Sequence, residues 1–383
     1  IKSVILQLHL NHKLRRADSM NENESNRTRI VDVSFFKAVS PHSRPIADST
    51  HQISEISFLV TRIRLANGVT GESYLLSFDY SPEAIAGALR DVQVFAHDFQ
   101  AYETGRFIKE YEKETEYFGH SGIHRWAMGS INIAMWDAWG KHLKEPVHKL
   151  LGSVRSRVPL YGSGGWLSYS MKELLEEVKG YSDRGFKAVK IKVGSPDIES
   201  DVERLHRVRE SVGKRINIMM DANQGMTVSE ASELAERVRP LRISWFEEPI
   251  SNKDYDGYQI LRSRSGISLA MGEREFDLIA LRELIGRKAL DLWQPDILRL
   301  GSVEAWRESS AYAHAHSINV LPHYYKEYDV PLLTTIPNSF GAESFDWVDP
   351  IITNPIRMKD GWAFPNEEPG WGFEFKESAL SEL

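Results

Sequence analysis

The chain predicts an α+β domain followed by a closed βα barrel, and three features of the sequence point there. Between Val158 and Asp346, eight short apolar runs alternate with polar or amphipathic segments long enough for a helix, the repeat of a parallel barrel. Upstream, over about 28–145, strand-like alternation comes first and helical periodicity after it, without βα alternation. The later runs also end on polar groups: Lys190 and Lys192, Asp221, Glu247, Glu273, Asp296, His323 and Glu343. In a parallel barrel those ends share one face. An open doubly wound sheet is the competing fold. It would carry a G-x-G-x-x-G turn after its first strand, and Gly162-Ser163-Gly164-Gly165 lacks that spacing.

In chain order, Val4 to Leu10 is an apolar run that alternates from Leu6, a strand or an extension. Residues 14–29, dense in Arg, Asn, Glu and Ser, predict a loop or disorder. Residue 1 is Ile, which leaves a preceding start, or a processed signal, open. Ile30 to Phe36 alternates as a strand, a polar loop runs from Ser40 to His51, and Ile56 to Leu65 is the next strand. Ala66-Asn67-Gly68 is a hairpin turn, with Val69 to Leu75 returning. Ser81-Pro82-Glu83 reads as an N-cap followed by proline at the first helical position. The stretch 122–143 is a long helix whose Ile123, Ala127, Ile131, Ala134 and Ala138 make a small-residue face for close packing. Asp137 within it reads as a buried carboxylate held by a neighbour or a backbone donor.

The eight runs are 158–162, 188–193, 216–221, 243–247, 268–273, 290–295, 318–323 and 341–346, with helices such as 168–183, 198–212 and 227–238 between them. The last run has only a weak helix after it. Trp362, Trp371 and Phe373 among glycines predict a packed tail that returns to the first domain. The expected division is an N-terminal extension, partly disordered, at 1–28, the α+β domain at 29–150, the barrel at 151–355 and the returning segment at 356–383.

Composition narrows the chemistry. The chain has 383 residues, 42% of them apolar, enough for a large core and two domains. With no cysteine, disulfides, zinc thiolates, iron–sulfur clusters and a thiol nucleophile are excluded. No apolar run approaches a membrane span. A formal charge of −7 argues against nucleic acid as the main partner. A cytoplasmic location is expected.

Asp221, Glu247 and Glu273 fall on adjacent strands. Unpaired, they would repel; a hard divalent cation resolves the repulsion, and Mg²⁺ or Mn²⁺ suits three carboxylates with positions left for water and substrate. Asn223 could support the cluster. Lys190 and Lys192, two apart on one strand, point to one side, where each lowers the other's affinity for protons and one could act as a base. On an exposed strand they would be a solvated pair. Asp296 beside His323 would fix the imidazole tautomer and raise its basicity. Glu343 could donate a proton if its pKa is raised, or form a salt bridge elsewhere. Such a set can remove the proton α to a metal-chelated carboxylate and give an enediolate.

Lys190-Ile191-Lys192, Asp221-Ala222-Asn223, Glu247-Glu248-Pro249, Gly272-Glu273, Asp296, His323 and Glu343 together resemble the enolase superfamily, mandelate racemase subgroup, over about 28–383. The resemblance implies an α+β capping domain over a modified TIM barrel, (β/α)7β. It implies Asp221, Glu247 and Glu273 as Mg²⁺ ligands, Lys192 as the base on one face of the substrate, modulated by Lys190, and His323 with Asp296 as the acid or base on the other. Glu343 would hydrogen-bond the substrate carboxylate. A homo-oligomer, dimer or octamer, is implied too.

The same constellation serves dehydration and racemisation. The loop near 40–51, with His42, Arg44, Asp48, Thr50 and His51, and the loop near 76–81, with Ser77, Asp79 and Tyr80, should meet the distal part of the substrate. That polar lining favours a sugar acid, with Arg44 or Lys326 available for a second carboxylate; an apolar wall of Phe36, Phe78 or Trp166 is the alternative. The reading is an Mg²⁺-dependent acid-sugar dehydratase, a hydro-lyase, with a racemase or epimerase of a 2-hydroxy acid as the alternative. An inactive sugar-acid-binding protein is a third reading, which would not need both Lys192 and His323.

Overall fold

The structure, a computed structural model, describes residues 27–383 apart from Asp79 and Asp98. The expectations for Val4–Leu10 and most of 14–29, and for Asp79, lie outside the described residues.

The first domain opens with an antiparallel sheet. Strand β1 (Ile30–Val39) pairs with β4 (Ser57–Leu65), and β4 pairs with β5 (Thr70–Leu76) across the Asn67-Gly68 turn. A two-residue hairpin, β2 (Ile46–Ala47) with β3 (Gln52–Ile53), interrupts the connection from β1 to β4. Helices Pro82–Ala96, Thr104–Glu114 and Ile123–Leu143 follow. The first begins at Pro82 as its fixed φ favours, with Ser81 at the N-cap position as expected, but Ser81 is left-handed (φ 47°) and its side chain makes no capping bond. Ile123–Leu143 is buried on two sides because it separates the sheet from the barrel. Its small residues permit a tight crossing: a Cβ on Gly71 of β5 would sit 2.3 Å from the Ala134 carbonyl oxygen. Asp137 is buried and accepts from the Glu72 and Trp371 backbone N–H groups, each at 2.8 Å, with Lys141 at 2.8 Å. One carboxylate thus ties sheet, helix and tail together.

The barrel strands among the described residues are β6 (Val158–Gly164), β7 (Ala188–Lys192), β8 (Asn217–Asp221), β9 (Trp245–Glu247), β10 (Ser268–Met271), β11 (Leu292–Trp293), β12 (Asn319–Val320) and β13 (Ala342–Ser344). Each pairs in parallel with its neighbour, and β13 returns to β6. Between β12 and β13 the seam is closed by residues 338–340, where Val320 N–H donates to Asn338 and Phe340 N–H to Val320. Helices follow the first seven strands; after β13 comes only a single 3₁₀ turn, Asp349–Ile351, so the architecture is (β/α)7β. Strong local signals start the helices: Ser170 with Glu173 and Thr227 with Glu230 form capping boxes.

Inside the barrel, Tyr161, Met219, Trp245, Ala270, Leu292 and Leu321 form an apolar layer from alternating inward positions. The charged residues lie above it. After the β14–β15 hairpin (Arg357–Lys359 and Trp362–Phe364), the tail reaches the first domain, where β16 (Leu380–Glu382) pairs with β1. Trp371 is buried there and donates its indole N–H to Ile133.

Candidate active site

Strand register sets the positions of the acids. Asp221 and Glu247 are the last residues of adjacent strands and face each other as Cα partners. Glu273 lies two residues beyond β10, past Gly272. That position has φ 140°, and a Cβ there would meet the Trp293 ring at 2.5 Å, so only glycine fits. Asp296 follows β11 and caps helix Ile297–Leu300 by accepting from Leu298 and Arg299 N–H. His323 follows β12 and Glu343 is central in β13. Asn223, Gln224, Glu248 and Tyr324, none of them glycine, take positive φ just beyond the strand ends. Backbone strain of this kind gathers where side chains must be held for chemistry.

These charged groups are buried, except His323, whose side chain is about one-fifth exposed. Lys190 contacts Glu247, lies 2.7 Å from Glu343 and 3.5 Å from Asp221. Lys192 donates to Asp221 at 2.5 Å and lies over the Trp166 ring at 5.1 Å. Glu247 also accepts from Gln294 at 2.7 Å. His323 Nδ1 is 2.8 Å from Asp296, and its Nε2 is 3.5 Å from Glu273. Glu343 accepts the Tyr324 N–H.

The charges shift one another. Burial pushes Glu247 up to about 8, with Asp221, Glu343 and Glu273 adding repulsion against the pull of Lys190. Burial draws His323 down, but Glu273 and Asp296 outweigh it and raise the imidazole to about 9. Burial likewise lowers both lysines, and the carboxylates reverse the sign: Lys190 ends well above its ordinary value, through Glu247 and Glu343, and Lys192 ends above its own, through Asp221. Lys190 does lower Lys192, as expected, but the Asp221 carboxylate outweighs it. For Glu343 the salt-bridge alternative holds, with Lys190 at 2.7 Å. Burial raises it, yet Lys190 and His323 hold it below the ordinary range, so it is an acceptor.

Among the described residues, no group of three or more acidic or histidine side chains has metal-site geometry. Asp221 turns to Lys192, Glu247 to Lys190, and Glu273 to His323. The donor set still fits a hard cation. It is all oxygen and on neighbouring strands, and burial together with the neighbouring acids raises Glu247 although a lysine touches it.

A cavity of about 240 Å³ opens above this cluster and takes in Lys190, Lys192, Asn223, Glu273, Asp296, His323 and Glu343. The cap supplies Asp48, His51, Leu76, Ser77, Phe78 and Tyr80. His51 is fixed by Asp48, and Thr50 donates to the Asn223 carbonyl at 3.1 Å, so this loop rests on the turn after β8. Two expected contacts fail. Arg44 stacks over Tyr169 at 4.1 Å, 3.8 Å from Glu173, outside the cavity. Lys326 is buried between Asp349 at 2.7 Å and Asp346 at 3.1 Å. The wall is not simply polar: Phe78 and Trp166 line it, with Phe345 stacked on Trp347 at 4.3 Å, while Phe36 does not reach it. Sequence reasoning missed Trp126, Arg274 and Arg299. Arg274 is spent on Glu248 at 2.8 Å. Arg299 lies 5.4 Å over Trp126 and has no carboxylate within salt-bridge distance among the described residues. Its place three residues after Asp296, in the helix that Asp296 caps, was the available signal.

A capped (β/α)7β barrel with an acid–base cluster at its strand ends is the class that fold and site define. Residues 173–379 match the enolase C-terminal domain-like family, and residues 30–152 match the N-terminal domain of mandelate racemase and muconate lactonizing enzymes. The chain belongs to the mandelate racemase/muconate lactonizing enzyme family of the enolase superfamily. It is 28% identical to L-talarate/galactarate dehydratase of Salmonella typhimurium, over 92% of this chain and 90% of that one. It is 31% identical to D-galactarolactone cycloisomerase of Agrobacterium fabrum, over 69% and 75%. The crystal structure of L-talarate dehydratase from Polaromonas sp. JS666, complexed with Mg and L-glucarate, superposes with a TM-score of 0.86 at 26% identity, covering 92% and 98% of the two chains.

Proposed function

We propose that the protein is a metal-dependent hydro-lyase that dehydrates an acid sugar to a 2-keto-3-deoxy acid. The observation that carries this is the arrangement around one cavity of Lys192 on β7, Glu273 beyond β10 and the His323–Asp296 pair beyond β11 and β12, with Asp221 and Glu247 at the neighbouring strand ends. The likeness to L-talarate/galactarate dehydratase, and to arabinonate dehydratase of Saccharolobus solfataricus at 29% identity over 70% of this chain, supports acid-sugar dehydration over racemisation.

Asp221, Glu247 and Glu273 would hold Mg²⁺, or Mn²⁺ with its similar preferences; related structures carry magnesium. Bound there, the ion would supply Lewis-acid stabilisation of charge on the substrate carboxylate. Lys192 removes the α-proton once Asp221, the carboxylate that raises it, is taken up in holding the cation; its neighbour Lys190, held cationic by Glu343, adds positive charge beside the carboxylate. His323, kept charged by Asp296 and Glu273, gives its Nε2 proton to the departing β-hydroxyl, so water leaves and the enol formed goes to the ketone. Glu343 orients the Tyr324 turn and balances Lys190. Asn223 and His51 line the substrate side of the cavity.

The substrate class within acid sugars is a diacid. Among the described residues Arg299 is the cavity guanidinium with no carboxylate within salt-bridge distance, with Glu273 and Glu275 feeling its charge from further off, and a second carboxylate would pair with it. A homo-oligomer is part of the proposal on family likeness, to be read by light scattering. A screen of mono- and diacid sugars in all stereochemistries, with mandelate included and the 2-keto-3-deoxy product as readout, tests the reading. A dehydrated diacid supports it; racemised mandelate or a lactone isomerised with no sugar acid consumed overturns it.

A further inference from the structure

The open edge of the cap sheet is met by side chains from the cap's own long helix and from the barrel. Strand β5 ends the sheet in the order β16-β1-β4-β5, so alternate N–H groups on its outer side have no strand to meet. Three side chains meet them instead. Glu72 N–H donates to Asp137 at 2.8 Å, Tyr74 N–H to the Tyr328 hydroxyl at 2.8 Å, and Leu76 N–H to the Tyr325 hydroxyl at 3.1 Å. Tyr325 and Tyr328 are both buried and three residues apart, so they face one side at the start of helix Lys326–Leu333. That helix begins directly after the turn carrying His323. Tyr325 N–H donates to the His323 carbonyl, and Tyr324 between them is left-handed (φ 68°) with its N–H on Glu343. On the other side, Leu76 is the last residue of β5 before the cap wall of Ser77, Phe78 and Tyr80, and Tyr80 reaches the first cap loop through the Gln52 carbonyl at 2.7 Å.

We propose that Tyr325 is a positioning residue that sets the cap wall over the His323 turn, so that substrate affinity depends on a hydroxyl engaged with backbone. Tyr328 makes the same bond one step further from the cavity and serves the domain contact alone. The inference rests on the dehydratase reading only for the choice of substrate.

Tyr325→Phe and Tyr328→Phe separate the two roles, because each keeps its ring and loses one acceptor. With a sugar acid that the screen shows to be turned over, Tyr325→Phe should raise KM about tenfold with kcat within twofold. Tyr328→Phe should leave KM within twofold while lowering Tm. Hydrogen exchange over 72–78 should be slow in the parent, faster in Tyr325→Phe, and slowed again by substrate. Equal KM effects in both variants, or a raised KM in Tyr325→Phe with exchange unchanged, would overturn the proposal, the second by making Tyr325 a direct contact. If either variant fails to fold, parental exchange decides: fast exchange at 74–76 sinks it. If no sugar acid is consumed, the dehydratase reading fails and the exchange comparison of the two variants still stands or falls on its own.

Discussion

The two walls of the cavity are built differently. The barrel wall carries its groups on strands or within a few residues of strand ends, so Asp221 beside Glu247, and Lys190 two before Lys192, are set by hydrogen-bond register. The cap wall carries its groups on loops after β2 and β5, through left-handed residues such as Phe78 and Ser81 and side-chain ties such as Asp48 to His51. Chemistry sits on the barrel wall, while recognition falls to the cap loops together with Arg299 of the barrel. Substitutions on the barrel wall should therefore cost turnover, and those on the cap wall should redistribute affinity.

The largest effect should come from removing the acid–base groups. Lys192→Ala and His323→Asn should each lower kcat roughly 10³-fold with smaller changes in KM, measured on the same sugar acid. A His323→Asn enzyme that dehydrates at the parental rate would remove the distinction between the walls. Next is the metal. Chelation should abolish turnover and Mg²⁺ restore it, and Glu247→Gln should weaken metal binding in titration calorimetry, since an anionic ligand becomes a neutral amide. Full activity with metal absence verified would contradict the donor set.

A smaller effect separates two cations that look alike in sequence. Lys326→Met should destabilise the fold by about 3 kcal/mol in urea unfolding, because Asp346 and Asp349 lose their buried partner. Arg299→Met should leave stability within about 0.5 kcal/mol and cost a diacid roughly 10–100-fold in kcat/KM, while a monoacid changes little. The smallest is Arg44→Ala: stacked outside the cavity on Tyr169, it should change kcat/KM less than about twofold.

The same contrast explains what could be read from the chain. The barrel residues were legible because a period-two strand fixes which side chains share a face, and polar residues that end one apolar run after another mark the shared mouth of a parallel barrel. Even there, side-chain direction was not legible: Glu343 as acceptor and Asp221 turned onto Lys192 follow from charge balance in three dimensions. The cap was legible as strands and one long helix, since the Asn67-Gly68 turn and the small-residue face of 122–143 announce them. Its contribution to the cavity was not. Arg44 and Arg299 are equally arginine in the sequence, and only the fold turns one to Tyr169 and the other to the cavity. Trp126 sits on a helix whose spacing reports burial, with nothing to mark a cavity-facing position.

The most direct test of the central claim follows the α-proton of a sugar diacid in D₂O by ¹H NMR, with Mg²⁺ present. The parent enzyme should form the 2-keto-3-deoxy product with solvent deuterium at C3. His323→Asn should form none, yet exchange the α-proton of a stereoisomer whose proton faces Lys192, and Lys192→Ala should not exchange it. Exchange at the parental rate in Lys192→Ala would show that the base is another group and that the barrel wall has been misassigned.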